Sequence, residues 1–352
     1  MIDKGASDLH LRTHSQVFLR IDGQLKPVEG APLSIDDMNR IMNELMSPHQ
    51  KEIFEKSYEV DFSYFLTGAG RFRCSGYRQN GSPAAVLRRI PSNVPSFENL
   101  RLPSIIPSFA ELKWGLVLVT GPTGNGKSTT LASVVEYINR TRSGHIVTIE
   151  DPVEFVHADK KCSVSQREIG SDTVSFGVAL RHVLRQDPNV IVVGEMRDLE
   201  TVETVLQAAE TGHLVLSTLH TADAVQTINR IIDMFPSHQQ AQARGQLAEV
   251  LKGVLSQKLL PYTCGGRIPA CEILVNTGFV KSAIIKNEPA EIDNAIRQGA
   301  HYGMQTFQQS LMQLLKDGSI RLEDALEAAT NPDDLMMAVK GIESSTDSMR
   351  PI

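Results

Sequence analysis

Hydrophobic and polar positions change period along the chain, and the changes mark its elements. Near the start, Leu9-His10-Leu11 and Val17-Phe18-Leu19-Arg20-Ile21 alternate as half-buried strands do, and Asp22-Gly23 is a turn signal before Gln24-Leu25-Lys26-Pro27-Val28. Residues 34–55 then carry Ile35, Met38, Ile41 and Leu45 at helical spacing behind Ser34 as N-cap, which predicts a helix. Strand alternation returns in Val60-Asp61-Phe62-Ser63-Tyr64, in Arg71-Phe72-Arg73-Cys74-Ser75-Gly76-Tyr77-Arg78 and in Ala85-Val86-Leu87-Arg88-Arg89-Ile90. Residues 91–107 hold Pro91, Pro95, Pro103 and Pro107, the composition of an extended linker and a domain boundary. Beyond it, the apolar runs Leu116-Val117-Leu118-Val119, His145-Ile146-Val147-Thr148-Ile149, Val190-Ile191-Val192-Val193 and Leu214-Val215-Leu216-Ser217-Thr218 alternate with helix-forming segments. That pattern predicts an α/β chain: a small α/β unit, then a doubly wound, mainly parallel sheet.

Composition narrows the class. The chain has 352 residues, 41% hydrophobic and 22% charged, enough for two globular units with a sizeable core. A net charge of -6 and 5% aromatic residues argue against a nucleic-acid partner. Cys74, Cys162, Cys264 and Cys271 form no C-x-x-C pair, as expected of reduced thiols in the cytosol. No apolar run approaches the ~20 residues of a membrane span and no signal-peptide core opens the chain, so membrane association is expected only through a partner.

The chemistry concentrates after Val119. Gly121-Pro122-Thr123-Gly124-Asn125-Gly126-Lys127-Ser128 fits G-x-x-x-x-G-K-[ST] between a strand and a helix-forming Thr129-Thr130-Leu131-Ala132. Glycines let the backbone turn tightly and aim N–H groups at phosphate oxygens, and the opening helix adds donors and a positive dipole end. Pro122, Thr123, Gly124, Asn125, Gly126, Lys127, Ser128 and Thr129 are therefore expected to cradle nucleotide phosphates. Lys127 would reach the β- and γ-phosphates, and the Ser128 hydroxyl would meet Mg²⁺.

Sites in such sheets lie beyond the carboxyl ends of the strands, which singles out three further places. The strand through Ile149 ends in Glu150-Asp151-Pro152, where a carboxylate can orient or deprotonate water. The strand through Val193 ends in Gly194-Glu195-Met196-Arg197-Asp198, a Walker B form in which Glu195 is expected to hold Mg²⁺ through its water. The strand through Thr218 ends in Leu219-His220-Thr221, where His220 can sense or bridge to a γ-phosphate. In the first unit, Arg71, Arg73, Arg78, Arg88 and Arg89 are expected to lie largely on one sheet face. That face is either a solvated, ion-paired surface or a source of guanidinium groups for phosphate, with Arg181, Arg185 and Arg197 as the fallback.

Four boxes in order make the chain resemble the secretion-type hexameric ATPases and, within them, the retraction ATPases of type IV pili. They are residues 121–128 (Walker A), 148–155 (aspartate box), 192–198 (Walker B) and 212–221 (histidine box). Similarity extends to Gly5-Ala6-Ser7-Asp8-Leu9-His10, Gln166-Arg167-Glu168-Ile169-Gly170, residues 228–236 and Gly303-Met304-Gln305-Thr306-Phe307. The resemblance implies a PAS-like N-terminal domain over residues 1–92, a Pro-rich linker over 93–112, a RecA-like P-loop core over 113–275 and a helical C-terminal region over 276–352. It implies ATP and Mg²⁺ as cofactors, Glu150 polarising water, Glu195 acting through Mg²⁺, and Arg71, Arg73 and Arg88 closing over the phosphates. It also implies a homo-hexamer acting on an inner-membrane pilus platform protein, a paralogous retraction ATPase as companion, and a cytoplasmic place at the inner membrane held by partners.

The sister pilus-assembly and type II secretion ATPases carry a tetracysteine zinc module, for which Cys264 and Cys271 supply too few ligands, and a long extra N-terminal domain. Retraction enzymes commonly carry Ala-Ile-Arg-Asn-Leu-Ile-Arg-Glu where this chain has Phe279-Val280-Lys281-Ser282-Ala283-Ile284-Ile285-Lys286, so Lys281 and Ile285 replace two arginines. The alternatives are an accessory or nucleotide-gated regulatory subunit of low turnover, an assembly or secretion ATPase without the zinc module, and a RecA-like nucleic-acid motor.

Overall fold

The computed structural model describes residues 1–21, 23–91 and 93–341; Asp22 of the predicted turn and the end of the predicted C-terminal region, from 342 on, lie outside the described residues. The chain divides into two compact units. Met1–Asn93 forms the first together with two later segments, Asp151–His157 and Arg167–Ser175.

The first unit is built on a six-stranded antiparallel sheet in the order β3-β2-β1-β6-β5-β4. Its elements are β1 (Asp8–Arg12), β2 (Phe18–Ile21), β3 (Gln24–Pro27), α1 (Ile35–Leu45), α2 (Pro48–Ser57), β4 (Glu59–Leu66), β5 (Gly70–Gln79) and β6 (Ser82–Arg89). Met38, Met42, Met46 and Phe54 pack from the helical segment onto Leu11, Val60, Phe62, Phe72, Cys74, Ala85 and Leu87. Period-two alternation puts Phe72 and Cys74 in that core and sends Arg71 and Arg73 to the opposite face.

The stretch expected as one helix over 34–55 is two. Ser47 makes a reciprocal capping box with Gln50, and Pro48 occupies the first turn of α2. Proline has no N–H for the preceding turn and its ring crowds the carbonyl four residues back, so α1 ends at Leu45 and α2 starts afresh.

The second unit comprises Val94–Glu150, Ala158–Gln166 and the chain from Phe176. Its elements begin with α3 (Ile106–Ala110), β7 (Gly115–Thr120), α4 (Lys127–Thr141), β8 (Gly144–Glu150), β9 (Cys162–Glu168, whose last two residues, Arg167 and Glu168, count with the first unit), α5 (Phe176–Val183), β10 (Val190–Val193) and α6 (Leu199–Glu210). They continue through β11 (Leu214–Leu219), α7 (Ala224–Asp233), α8 (Gln240–Val250), β12 (Leu251–Pro261) and β13 (Arg267–Val275). The helices α9 (Gly278–Lys286), α10 (Pro289–Gln298), α11 (Phe307–Lys316), α12 (Leu322–Ala328) and α13 (Pro332–Val339) close the described chain.

The seven-stranded sheet runs β13-β12-β7-β11-β10-β8-β9. β12, β7, β11, β10 and β8 are mutually parallel and β13 is antiparallel to β12, so the expected mainly parallel α/β sheet is present. The central strands β7, β10 and β11 are buried along their whole length, as continuous apolar runs predict. The segment expected as an extended linker is packed instead: Phe97, Ile106, Phe109 and Ala110 enter the core beside Val134, Val135 and Ile138, and Pro95 O accepts a 2.6 Å hydrogen bond from Ser133 Oγ. Its prolines set turns, but its large apolar side chains gain more by burial than an extended chain in water allows. No described helix is long and apolar enough to cross a membrane.

Candidate active site

Parallel strands all point the same way, so the carboxyl ends of β7, β11, β10 and β8 lie along one edge. β7 runs into the glycine loop. There Gly121, Gly124 and Gly126 hold φ of 140°, 81° and 79°, conformations that side chains disfavour, and Gly126 caps α4. A Cβ on Gly124 would meet nothing within 4 Å, so the outer turn of the loop is open to a ligand. Lys127 is buried, at 7% exposure, and its Nζ donates to Gly121 O at 2.7 Å and Pro122 O at 3.0 Å and lies 3.2 Å from His220 Nδ1. Positive-φ glycines, a helix N-terminus and a held ammonium fit the phosphates of a nucleotide.

From Lys127 the polar line continues across the strand ends. His220 Nδ1 also lies 3.4 Å from Thr123 Oγ1, and His220 Nε2 lies 3.5 Å from Glu195 Oε2. Arg197 Nε donates to that same oxygen of Glu195 at 2.8 Å. Ser217 and Thr218 hydroxyls, on β11, donate to Val193 O at 2.8 Å and Gly194 O at 2.6 Å, which ties the loop carrying Glu195 to the loop carrying His220. At the end of β8, Glu150 Oε1 accepts from Thr148 Oγ1 at 2.6 Å and Gln166 Nε2 at 3.1 Å. Two donors on one oxygen fix the plane of the carboxylate.

Two supporting glutamines carried no role in the sequence reading. Gln166, on β9, is one of the donors to Glu150; its place in a Gln-Arg-Glu strand end was the available signal. Gln257, on β12, is 1% exposed and reaches the glycine loop. Its signal was a polar Ser256-Gln257-Lys258 interruption of an apolar strand.

The arginines of the first unit divide by register. Arg73 on β5 is directly opposite Arg88 on β6, and Arg71 is two residues from Arg73, so these three share one face. Arg89 pairs with Phe72 of the core face, and Arg78 points its guanidinium over the rings of Phe54 and Tyr58, at 5.7 and 5.5 Å. The expected single face therefore holds three of the five candidates, because Arg78 and Arg89 have the other parity. Two of the three are ion-paired within the unit. Arg88 Nε donates to Asp8 Oδ1 at 2.8 Å, and Arg71 Nη2 donates to Glu168 Oε2 at 2.8 Å. Glu168, 3% exposed, also accepts from Ser63 Oγ at 2.8 Å and from the backbone N–H of Val153 at 3.0 Å. Burial alone would raise the Asp8 carboxyl, but hydrogen bonds from Arg88 and Ser7 and the charges of Arg88 and Arg20 hold it below the ordinary aspartate value. Of the fallback arginines, Arg197 is on Glu195 and Arg181 pairs with Glu200 at 2.5 Å.

Comparison with known proteins identifies the family. Residues 1–350 match the family described as "Type II/IV secretion system protein". The "Type IV pilus retractation ATPase PilT" of Pseudomonas aeruginosa is 44% identical over 331 residues, covering 94% of this chain and 96% of that protein. The "Type IV pilus ATPase PilU" of the same organism is 41% identical over 351 residues, covering 99% of this chain and 92% of that protein. A solved structure described as "Crystal Structure of the Pilus Retraction Motor PilT and Bound ADP" matches with a TM-score of 0.89 at 47% identity, covering 95% of this chain and 96% of that one. With a P-loop, ordered acid and histidine strand ends and matches over nearly its whole length, the chain belongs to the Type II/IV secretion system protein family, as a P-loop ATPase of the type IV pilus retraction branch.

Proposed function

We propose that this chain is the ATP-hydrolysing subunit of a six-membered ring that powers type IV pilus retraction by acting on an inner-membrane platform protein. The observation that carries the reading is the polar line from Lys127 through His220 to Glu195 along the strand ends that also present Glu150. Residues 122–129 would hold the phosphates of ATP, with Mg²⁺ near the Ser128 hydroxyl and, through water, near Glu195. Bound there, the ion would supply charge neutralisation on the phosphates and on the leaving group. Lys127 holds the phosphates, and His220 joins the phosphate side to Glu195. Glu150, its carboxylate plane fixed by Thr148 and Gln166, orients the attacking water and takes its proton. Arg71, Arg73 or Arg88 stabilises the charge that develops on transfer.

The reading includes a PAS-like domain over 1–92, the segment 93–112, a RecA-like core over 113–275 and a C-terminal region from 276; the antiparallel sheet of the first unit and the parallel sheet of the second support it. It also places the chain at the cytoplasmic side of the inner membrane through its partners. One observation favours a second reading, an accessory retraction ATPase working with a paralogue. On α9, Lys281 is engaged by Glu249 and Ile285 is exposed, at the two positions where the retraction signature has arginines.

The test is steady-state hydrolysis by the purified chain and by Glu150→Gln, with the particle mass measured in ATP and Mg²⁺. The motor reading expects a six-membered ring, and Glu150→Gln binding ATP with turnover reduced about 10²-fold or more. A monomer would remove the ring, and parent turnover no faster than that of Glu150→Gln would leave a nucleotide-gated module.

A further inference from the structure

The strand beside the phosphate loop carries a side chain that is committed to the loop. Gln257 sits mid-strand in β12 among Val254, Leu255 and Leu260, all buried. Its Nε2 donates to the carbonyl O of Asn125, and its Oε1 accepts from Thr130 Oγ1 in the first turn of α4 at 2.9 Å. The neighbouring backbone serves the same loop. Leu259 N donates to Asn125 Oδ1 at 2.7 Å, and the carbonyl O of Gln257 lies 2.3 Å from where a Cβ on Gly121 would be.

An amide suits this place because it donates at one end and accepts at the other; a carboxylate only accepts, an ammonium only donates, and a hydrocarbon of similar length does neither. A buried amide without partners would be costly, so both bonds matter to the fold of the loop. The geometry has a further effect. In a trans peptide the C=O and the N–H that follows it point in opposite directions within one plane. Holding Asn125 C=O against Gln257 on β12 therefore turns the Gly126 N–H away from that strand.

We infer that Gln257 is a positioning residue for nucleotide binding, acting through Asn125 and Thr130 to fix the aim of the Gly126 N–H and the start of α4. This rests on the nucleotide site proposed above. Its effect falls on binding rather than on the chemical step, since pre-aimed donors spare the loop its reorganisation when phosphate arrives.

The test compares Gln257→Glu and Gln257→Leu with the parent in ATPase kinetics, at about pH 8 and about pH 6, with thermal melts alongside. At the higher pH, Gln257→Glu is expected to raise KM for ATP about ten- to hundredfold with kcat within a few-fold, since its carboxylate has no hydrogen for Asn125. On acidification the introduced carboxyl, its pKa pushed up by burial, regains an O–H donor, and KM moves back toward the parent. Gln257→Leu should raise KM without that recovery. If Gln257→Leu does not fold, Thr130→Val removes the donor to Oε1 alone and should raise KM severalfold. A KM for Gln257→Glu within twofold of the parent, or a rise that follows the melting temperature and does not move with pH, overturns the inference. Lys127→Ala separates the two levels: retained ATP binding there refutes the nucleotide site, whereas lost binding there beside an unchanged Gln257→Glu refutes only the role of Gln257.

Discussion

The two units gather their charged groups by different rules. In the second, every strand next to the phosphate loop is parallel, so direction alone brings Lys127, His220, Glu195 and Glu150 to one edge. In the first, the strands are antiparallel and neither edge collects strand ends of one kind. What collects there is a row across the sheet: Arg20, Asp8, Arg88, Arg73 and Ser63 are successive cross-strand partners on one face. Direction builds an edge site and register builds a face. The edge of the second unit is a place for a ligand, while the face of the first is partly satisfied by its own acids, Asp8 and Glu168.

The largest test of this contrast is Lys127→Ala, which removes the buried ammonium from the edge. ATP binding and turnover should fall by about 10³-fold or more, read by nucleotide titration and phosphate release. A variant with parent affinity would mean that the edge is structural.

Next come the arginines, which test the face. One or two of Arg71, Arg73 and Arg88 should lose about 10³ in turnover as alanine while keeping much of their ATP binding. Arg78 and Arg89, of opposite parity, should stay within about twofold in rate, and Arg78→Ala should instead lower stability through its lost ring contacts. Uniformly mild effects across all five would make the face a solvated one and move the search to Arg181, Arg185 and Arg197.

The smallest effect is one of stability, at Glu272 on β13. Burial, reinforced by Asp223 and Asp293, pushes its carboxyl up from 4.5 to about 7 against the opposing hydrogen bond from Ala224 N–H and the charge of Lys258. The folded chain therefore keeps a proton that the unfolded chain releases between about 4.5 and about 7, so stability falls as pH rises through that window and levels off above it. Glu272→Gln keeps an acceptor for Ala224 and removes the ionisation. Its Tm should exceed the parent's by a few degrees at about pH 8 and match it near pH 4.5. An equal gain at both pH values would point to packing instead.

Much of the edge was legible in the chain because its parts are local. A glycine loop, an acid after a β-branched run and a histidine after another are each spelled within a few residues, and parallel order then aligns them. The partners were not legible. Gln257 is 132 residues from the carbonyl it holds and Gln166 is 16 from Glu150, and no period or spacing pairs a strand amide with a loop that far away. On the face of the first unit, alternation identified Arg71 and Arg73, but only register across β5 and β6 shows that Arg88 joins them and Arg89 does not. The break at Ser47-Pro48 was readable from Pro48 itself; the apolar spacing on both sides masked it. In the segment 93–112 proline composition suggested an extended path, whereas the scattered Phe97, Ile106 and Phe109 decide its burial.

The Glu168 carboxylate also imposes an order of events during synthesis. Arg71 leaves the ribosome 97 residues ahead of Glu168, and Ser63 leaves 105 ahead. At roughly 5–20 residues per second, the nascent sheet spends about 5–20 s with this guanidinium facing water before its acid emerges. The first unit is therefore completed by chain made after the whole of the phosphate loop's own strand and helix. A fragment ending near residue 93 would carry the arginine without the carboxylate, and would fold as a less finished object than the same residues in the whole chain.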